Sequence, residues 1–387
     1  MERRTLGRTG HEVSVIGLGT WQLGADWGDV REEDAVAVLD AAYDSGVRFF
    51  DTADVYGDGR SERTIDRLGR EVSEVGLGTW QLGADWGEVS TDDALAVLDA
   101  AYDSGVRFFD TADVYGDGVS EQTIGTFLRT RGHTDLVVAT KMGRRASPHE
   151  AAAYTLDNFR AWTDRSRTNL GVEVLDLVQL HCPPTSVYSD DEVFGALDTL
   201  VAEGRIRAYG VSVETRDEAL TAIARPGVAS VQIVFNMLRQ APLDRVLPAA
   251  AAAGVGIIAR VPLASGLLSG KYDRTTTFPA NDHRTYNRRG EAFDVGETFA
   301  GVDFSTGLEA VQRLLPLVPA PATMAQFALR WILDRPGVSS VIPGARNAVQ
   351  ALGNAAAADL APLTPQVLAA VTEVYQELIA PQIGDRW

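Results

Sequence analysis

The sequence contains a single cysteine, Cys182, among its 387 residues. An internal disulfide is therefore impossible, and a reducing compartment, the cytoplasm, is the expected location. His181 is adjacent, but no further cysteine or histidine lies close in sequence, so we predict that the protein holds no metal.

Long apolar runs are also missing. The run 249–258 is short and broken by glycine, so it predicts a buried helix and strand rather than a membrane span. The segment Met1–Arg4 lacks the apolar character of a signal peptide. The formal net charge is −18, which disfavours nucleic acids and anionic membranes as partners because like charges repel. Small molecules are the expected ligands, and the composition leaves a homo-oligomer open.

A direct repeat is the most informative feature of the chain. Residues 12–65 align without gaps with residues 71–124, at an offset of 59, and 45 of the 54 aligned positions are identical. Both copies contain GLGTWQLGADWG and VLDAAYDSGVRFFDTADVYGDG. Solenoid repeats usually diverge more and come in threes or more. Two long, nearly identical copies therefore indicate a recent duplication, natural or engineered.

Each copy has the pattern of a strand, a helix and a second strand. In the second copy, Val75–Thr79 is a short apolar strand, Asp93 can cap a helix with apolar residues at helical spacing, and Gly105 can end it. Val106–Asp110 is the following strand. Further strands are predicted at 136–140, 175–180, 206–211, 230–235, 256–261 and 339–342. The helices between and after them are predicted at 151–170, 192–203, 214–223, 243–253, 321–334 and 348–358, with an additional packing helix at 367–378.

This alternation predicts a TIM-type parallel β/α barrel that forms a single domain over residues 1–387. The polar, irregular segment 275–304 is expected to be a long loop over the barrel mouth, and Trp80 and Trp86 are further candidates for pocket walls. With the duplicated unit, the barrel is expected to have ten strands. Two alternatives stay open. One copy could lie outside an eight-stranded barrel, or the copies could be exchanged between two chains.

Polar residues at the carboxyl ends of strands are candidates for chemistry, because active sites of such barrels lie there. Asp110 ends one strand, Tyr115 follows it, and Lys141 and His181 end the next two strands. Free tyrosine has a pKa near ~10, which is high for an acid at neutral pH, and a nearby ammonium held by a carboxylate lowers it. With a histidine to orient a carbonyl, these groups predict a site that protonates an oxygen while hydride arrives at carbon.

Seven distinct motifs lie along the chain, most of them at the ends of predicted strands. In order they are GLGTW (76–80), FFDTADVYG (108–116), ATKMG (139–143), VQLHCP (178–183), GVS (210–212), PLASGLLSGKY (262–272) and VIPGARNAVQALGNAAA (341–357). As a set they resemble the aldo-keto reductase family over nearly the whole chain. The resemblance implies a catalytic tetrad of Asp110, Tyr115, Lys141 and His181, in which tyrosine is the general acid.

The resemblance also implies NADPH as cofactor, bound without a GxGxxG motif. The positions that would hold the cofactor are Ser212, Gln232, Arg260, Leu263, Gly266, Leu268, Gly344, Arg346, Gln350 and Asn354. Two positions depart from the family pattern. Val213 replaces a frequent asparagine, and Arg260 replaces a frequent aromatic residue, although a guanidinium can also stack on a planar ring.

The first copy carries a second pair of candidates, Asp51 and Tyr56. Lys141 has no second counterpart in the chain, and the second copy leads into its strand with family-like spacing. We therefore predict that Asp110 and Tyr115 are the working pair. The expected activity is NADPH-dependent reduction of an aldehyde or ketone. A non-catalytic NADP-binding barrel, or a different biosynthetic reaction on the same scaffold, is the alternative, since a fold alone does not decide function.

Overall fold

The computed structural model describes residues 72–83, 90–132, 135–280 and 282–383. It also describes the backbone of four short strands, β1 (Arg3–Thr5), β2 (Glu12–Ser14), β3 (Leu18–Gly19) and β4 (Phe50–Asp51). The chain divides into two compact units, Met1–Glu71 and Val72–Trp387. In the first unit, β1 and β2 form an antiparallel hairpin.

The second unit contains a closed barrel of eight parallel strands. They are β5 (Leu77–Gly78), β6 (Phe108–Asp110), β7 (Val137–Met142), β8 (Leu175–His181), β9 (Ile206–Ser212), β10 (Val228–Val234), β11 (Gly256–Arg260) and β12 (Val338–Val341). Strands that are consecutive in the chain are neighbours in the sheet. The two edges meet where Val75 bridges Val341 and Gly78 bridges Gly344, both in parallel. The strands are apolar runs buried on both faces, as a parallel sheet covered by helices requires.

Helices follow the strands and cover the barrel. They are α1 (Thr91–Asp103), α2 (Val119–Arg131), α3 (Leu156–Leu170), α4 (Asp191–Ala202), α5 (Arg216–Ile223), α6 (Pro242–Ala253), α7 (His283–Tyr286), α8 (Phe304–Leu314), α9 (Met324–Leu333), α10 (Ala348–Ala355), α11 (Pro365–Val374) and α12 (Ala380–Ile383). A π-helical turn, Tyr375–Ile379, connects the last two. Among these described helices, none is both long and apolar enough to cross a bilayer.

One predicted helix begins later than expected, and two long helices, α2 and α8, were not predicted. The helix predicted at 151–170 begins only at Leu156, because the Thr155 side chain caps its first turn by accepting from the Asn158 amide. Residues 151–153 form a separate 3₁₀ turn. Helix α8 was not expected, and it begins where Asp303 accepts hydrogen bonds from the amides of Ser305 and Thr306.

The expectation of a ten-stranded barrel is wrong, and the eight-stranded alternative is confirmed. The second copy supplies the first two barrel strands, where Leu77 pairs with Phe109. The strands of the first copy pair in the same register, Leu18 with Phe50, but in a separate two-stranded sheet. Because β5 already meets the last barrel strand and β6 already borders β7, the closed sheet offers no edge to further strands. Exchange between chains stays a prediction.

Candidate active site

Three neighbouring strands bring the four predicted catalytic residues together at the carboxyl end of the barrel. The Lys141 ammonium donates to Asp110 Oδ2 at 2.5 Å and lies 3.4 Å from the Tyr115 hydroxyl. It also donates to the Thr111 carbonyl at 2.8 Å. The rings of Tyr115 and His181 meet edge to face, with centroids 5.9 Å apart. The sequence-predicted constellation is therefore assembled from the second copy; Tyr56 and the side chain of Asp51 lie outside the described residues.

The turn that carries Tyr115 is locked against the loop that carries Trp80. Gly116 has φ 56°, and a Cβ atom at this position would lie 2.0 Å from the Gly83 carbonyl oxygen. No side chain fits that approach, so glycine is required there. The Trp80 ring stacks on Tyr115 with centroids 6.0 Å apart. The phenol thus has a fixed direction toward the space above the barrel.

Two glutamines fix the Asp110 carboxylate from the side opposite to lysine. Gln232 Nε2 donates to Asp110 Oδ1 at 2.8 Å, and Gln179 Nε2 donates to the same oxygen at 3.2 Å. All three side chains are buried. A buried carboxylate needs such partners, because an unpaired charge in the interior is strongly unfavourable. Gln179 lies two residues before His181 and faces the same side of its strand, a signal that sequence reasoning passed over.

A cavity of about 540 Å³ opens from this site across the barrel mouth. Asp110, Tyr115 and His181 line its inner end. Nine of the ten positions expected to hold the cofactor line it as well, namely Ser212, Gln232, Arg260, Leu263, Gly266, Gly344, Arg346, Gln350 and Asn354. The tenth, Leu268, is fully buried and absent from this lining. Lys271 and Arg346 are cations on the cavity wall of a strongly acidic protein.

The chain is similar to proteins of known family. The sequence profile described as the Aldo/keto reductase family matches residues 15–75 and, again, residues 74–376. The chain belongs to the aldo/keto reductase family. It is therefore an oxidoreductase of that family, and the two matches follow the direct repeat.

Curated relatives and solved structures agree with this membership. The aldo-keto reductase YhdN of Bacillus subtilis is 30% identical over 292 residues, which cover 73% of this chain and 84% of that protein. D-threo-aldose 1-dehydrogenase of a Pseudomonas species is 30% identical over 314 residues, covering 74% and 90%. The glycerol dehydrogenase AKR11B4 of Gluconobacter oxydans superposes with a TM-score of 0.65 at 28% identity, covering 81% and 93% of the two chains.

In this reductase, burial and the neighbouring charges together set the protonation of the lysine and the tyrosine. Burial alone would lower the pKa of Lys141, but Asp110 and Tyr115 together outweigh it and raise that pKa. Burial raises the pKa of Tyr115, and the Lys141 ammonium offsets only part of the rise. Lys141 thus lowers the pKa of Tyr115 as expected, but burial raises it by more, so the net shift is upward. The phenol is protonated at neutral pH and holds a proton to give.

His181 is neutral in the reductase. Burial, reinforced by the nearby cations of Arg144, Lys141 and Arg260, lowers the pKa of His181 well below its usual value. Arg144 Nη1 lies 3.4 Å from His181 Nε2. Among the described residues, His181 Nδ1 has no hydrogen-bond partner. A neutral imidazole carries one N–H and one acceptor nitrogen, so it can orient a polar group without adding charge.

The sequence pointed to segment 275–304 and Trp80 as pocket walls, but it did not single out the residues of that segment. Segment 275–304 contributes His283, Arg284 and Glu297 to the cavity lining, and the His283 ring lies 5.3 Å from Trp80. Trp80 lines the cavity, whereas Trp86 lies outside the described residues. Arg144 contacts the His181 imidazole without lining the cavity, and it could have been noticed, since it lies just after the Lys141 strand. Glu297 lies in an irregular segment, and nothing in its local sequence indicates where it points.

Possible metal ligands also meet beside the site. Cys182, Glu214 and Glu297 offer ligand atoms that lie within 4.8 Å of one another. However, Arg260 Nη1 lies 3.3 Å from Glu297 Oε1, and Arg260 Nη2 lies 3.8 Å from Cys182 Sγ. A guanidinium at these distances already supplies the positive charge that a cation would bring. This cluster is therefore an ion-pair network.

Proposed function

We propose that this oxidoreductase uses NADPH to reduce an aldehyde or ketone to an alcohol, with Tyr115 as the general acid. The observation that carries the proposal is the contact of one buried ammonium, Lys141, with both Asp110 and Tyr115 at the inner end of the cavity. A general acid needs its proton at rest and a means to stabilise the base it leaves behind. The raised pKa of Tyr115 provides the first, and Lys141 provides the second.

The cavity suits a nicotinamide dinucleotide by the chemistry of its wall. Ser212 and Gln232 are polar groups near the catalytic residues, where a carboxamide would need partners. Lys271 and Arg346 bring cations to the wall, and Arg346 precedes the N-terminus of α10, a combination that favours phosphate. Arg260 Nε is buried and has no hydrogen-bond partner among the described residues. When bound, NADPH would supply the hydride that adds to the carbonyl carbon.

The residues of the chain would then act on the carbonyl oxygen. His181 and Tyr115 face each other and would hold that oxygen between them. As negative charge develops on the oxygen, Tyr115 would donate its proton to it, and the resulting phenolate would lie beside the Lys141 ammonium. Asp110, held by Gln179 and Gln232, would keep the ammonium in place.

The repeat offers a matched control for this proposal. Tyr115 and Tyr56 occupy the same local sequence, DVYGDG. With NADPH and an aromatic aldehyde, we expect Tyr115→Phe to reduce turnover by about 10²–10⁴-fold, the usual contribution of a general acid. We expect Tyr56→Phe to leave the rate unchanged. The measurement is the loss of NADPH absorbance with time.

The other outcomes of this assay reject specific parts of the proposal. A loss of turnover only in Tyr56→Phe would place the first copy in the working site. Binding of NADPH without turnover of any aldehyde would favour a non-catalytic NADP-binding barrel. Consumption of the carbonyl compound without NADPH oxidation would favour a different reaction on this scaffold.

A further inference from the structure

An ion-pair network borders the site on the His181 side, and the proton transfer proposed above does not use it. Arg144 Nη1 and Arg260 Nη1 each lie 3.3 Å from Glu297 Oε1. Arg260 and Glu297 are each 8% exposed, and both line the cavity. Arg144 Nη1 also lies 3.4 Å from His181 Nε2. The network therefore lies beside the position that the reacting carbonyl would occupy.

The two guanidinium groups of the network carry more positive charge than its carboxylates neutralise, and more N–H donors than those carboxylates accept. Arg144 and Arg260 share one oxygen of Glu297, although each guanidinium carries about five N–H donors. Arg260 further donates to the Val213 carbonyl at 3.1 Å, but its buried Nε has no hydrogen-bond partner among the described residues. The other nearby acid is Glu214, and burial raises its pKa to about 7, so it is only partly ionised at neutral pH.

We propose that Arg144 and Arg260 form a subsite for a carboxylate attached directly to the substrate carbonyl, and that Glu297 covers this subsite when such a substrate is not bound. The substrate class is then the 2-oxo acids. The reason is distance, since Arg144 contacts the His181 imidazole, the ring that would hold the carbonyl oxygen. Arginine forks bind carboxylates in a planar, bidentate manner. This inference rests on the proposed function.

The reaction balances with the reductant already proposed. NADPH, when bound, would supply the hydride that adds to carbon 2 of the oxo acid, and Tyr115 would donate its proton to the oxygen. The products are the 2-hydroxy acid and NADP⁺, and solvent returns a proton to the tyrosine. The carboxylate of the substrate is unchanged and only holds the molecule against the arginines.

Paired substrates isolate the contribution of charge. We would compare phenylglyoxylate with its methyl ester, which keep the same carbonyl and ring but differ in charge. In Arg144→Met, we expect kcat/KM for the acid to fall at least about tenfold more than that for the ester, since a charge-assisted bond is lost. In Glu297→Gln, we expect the ratio of acid to ester to rise about tenfold, because a competing carboxylate is removed. Arg144→Lys should restore part of the preference.

A binding measurement does not depend on turnover. We would titrate mandelate, the 2-hydroxy acid product, into the protein saturated with NADP⁺ by calorimetry, and expect binding to weaken in Arg144→Met and to tighten in Glu297→Gln. Equal effects of each variant on acid and ester, or unchanged mandelate binding, would overturn the subsite. Failure of the proposed function is distinguishable, because then neither acid nor ester would be reduced by the unmodified protein.

A separate observation concerns the two copies of the repeat. Helix α2 of the second copy packs through Gly125 on the last turn of α3, where an added Cβ would lie 2.5 Å from the Asn169 carbonyl oxygen and 2.8 Å from that of Leu170. At the equivalent position, 59 residues earlier, the first copy has Asp66. In the place of Gly125, an aspartate side chain would clash with the backbone of α3, and its negative charge would face the negative C-terminal end of that helix.

We infer that Gly125 selects the second copy for the barrel, and that Asp66 prevents the first copy from taking the same place. Phe127 supports this selection, since it is buried against Phe109 at a centroid distance of 5.8 Å. The first copy has the smaller Leu68 at that position. Residues 66–69 and 125–128, which directly follow the two copies, are thus the segments where the barrel contacts discriminate between them.

An exchange within the full-length chain tests this selection. Residues 66–69 (DRLG) and 125–128 (GTFL) are swapped, which keeps the composition constant. We expect activity of the exchanged chain to be lost with Tyr56→Phe and retained with Tyr115→Phe, the reverse of the unmodified chain. An exchanged chain that is inactive, or that still depends on Tyr115, overturns the inference. As a second measurement, Gly125→Asp should lower the melting temperature far more than Asp66→Gly changes it.

Discussion

Replacing Lys141 with methionine should abolish carbonyl reduction and strongly destabilise the barrel. The ammonium is fully buried and donates to Asp110 and to the Thr111 carbonyl. Its removal leaves the Asp110 carboxylate buried with only glutamine donors, and breaking a buried ion pair in this way costs about 3–5 kcal/mol. Turnover should fall by at least about 10²–10³-fold, because the phenolate left on Tyr115 would lose its stabilising charge.

A second substitution separates stability from catalysis. In Lys141→Met combined with Asp110→Asn, the carboxylate that lost its lysine is removed as well, so most of the lost free energy of unfolding should return. Turnover should stay low, since the ammonium beside Tyr115 is still missing. Urea unfolding and NADPH oxidation measure the two effects. Recovery of turnover in the double variant, or full stability of Lys141→Met alone, would show that this pair does not have the role we assign.

Replacing Asp113 with asparagine should stabilise the protein, and the gain should grow with pH. Asp113 lies between β6 and Tyr115 and is almost fully buried, and its Oδ1 has no hydrogen-bond partner among the described residues. Burial, followed by the charge of Glu121, raises the pKa of Asp113 to about 8. In the unfolded chain this pKa is about 3.9. The folded state therefore keeps a proton that the unfolded state releases.

The sign of the pH effect follows from this difference. Between about pH 4 and 8 the folded protein binds one more proton at Asp113, so its stability from this group falls as pH rises, by up to roughly 1.4 kcal/mol per pH unit. Asparagine removes the titration. The difference in melting temperature between Asp113→Asn and the unmodified protein should be small near pH 5 and largest near pH 8.

The exposed residue Asp359 provides the control for this prediction. Asp359→Asn should not produce a difference that grows with pH. If Asp113→Asn destabilises the protein equally at all pH values, the buried carboxyl is stabilised by interactions that asparagine cannot replace. The prediction would then be wrong.

Local sequence determines much of the barrel, as the repeat demonstrates within one chain. The parallel pairing of Leu18 with Phe50 recurs as Leu77 with Phe109, so the register of this unit is encoded by its own residues. The meeting of Asp110 with residues from the next two strands was likewise predictable, because parallel strands present their carboxyl ends at one rim.

Long-range packing accounts for what the sequence did not reveal. Near-identical copies have the same periodicity, so only contacts such as Gly125 with the end of α3 distinguish them. Glu297 reaches Arg144 across more than 150 positions of the chain, within a segment that has no regular periodicity. The raised pKa of Tyr115 depends on how completely the phenol is buried, which spacing along the chain does not specify.

The chain has two lysines, and the barrel gives them opposite accessibility. Lys141 is buried under the phenol, whereas Lys271 is exposed at the cavity wall. Amine-reactive dyes, crosslinkers and activated resins would thus have Lys271 as their lysine target. Coupling through lysine would attach the protein to a support at the edge of its own cavity. Immobilisation through a carboxylate or an added tag is therefore the better choice for keeping the cavity entrance open.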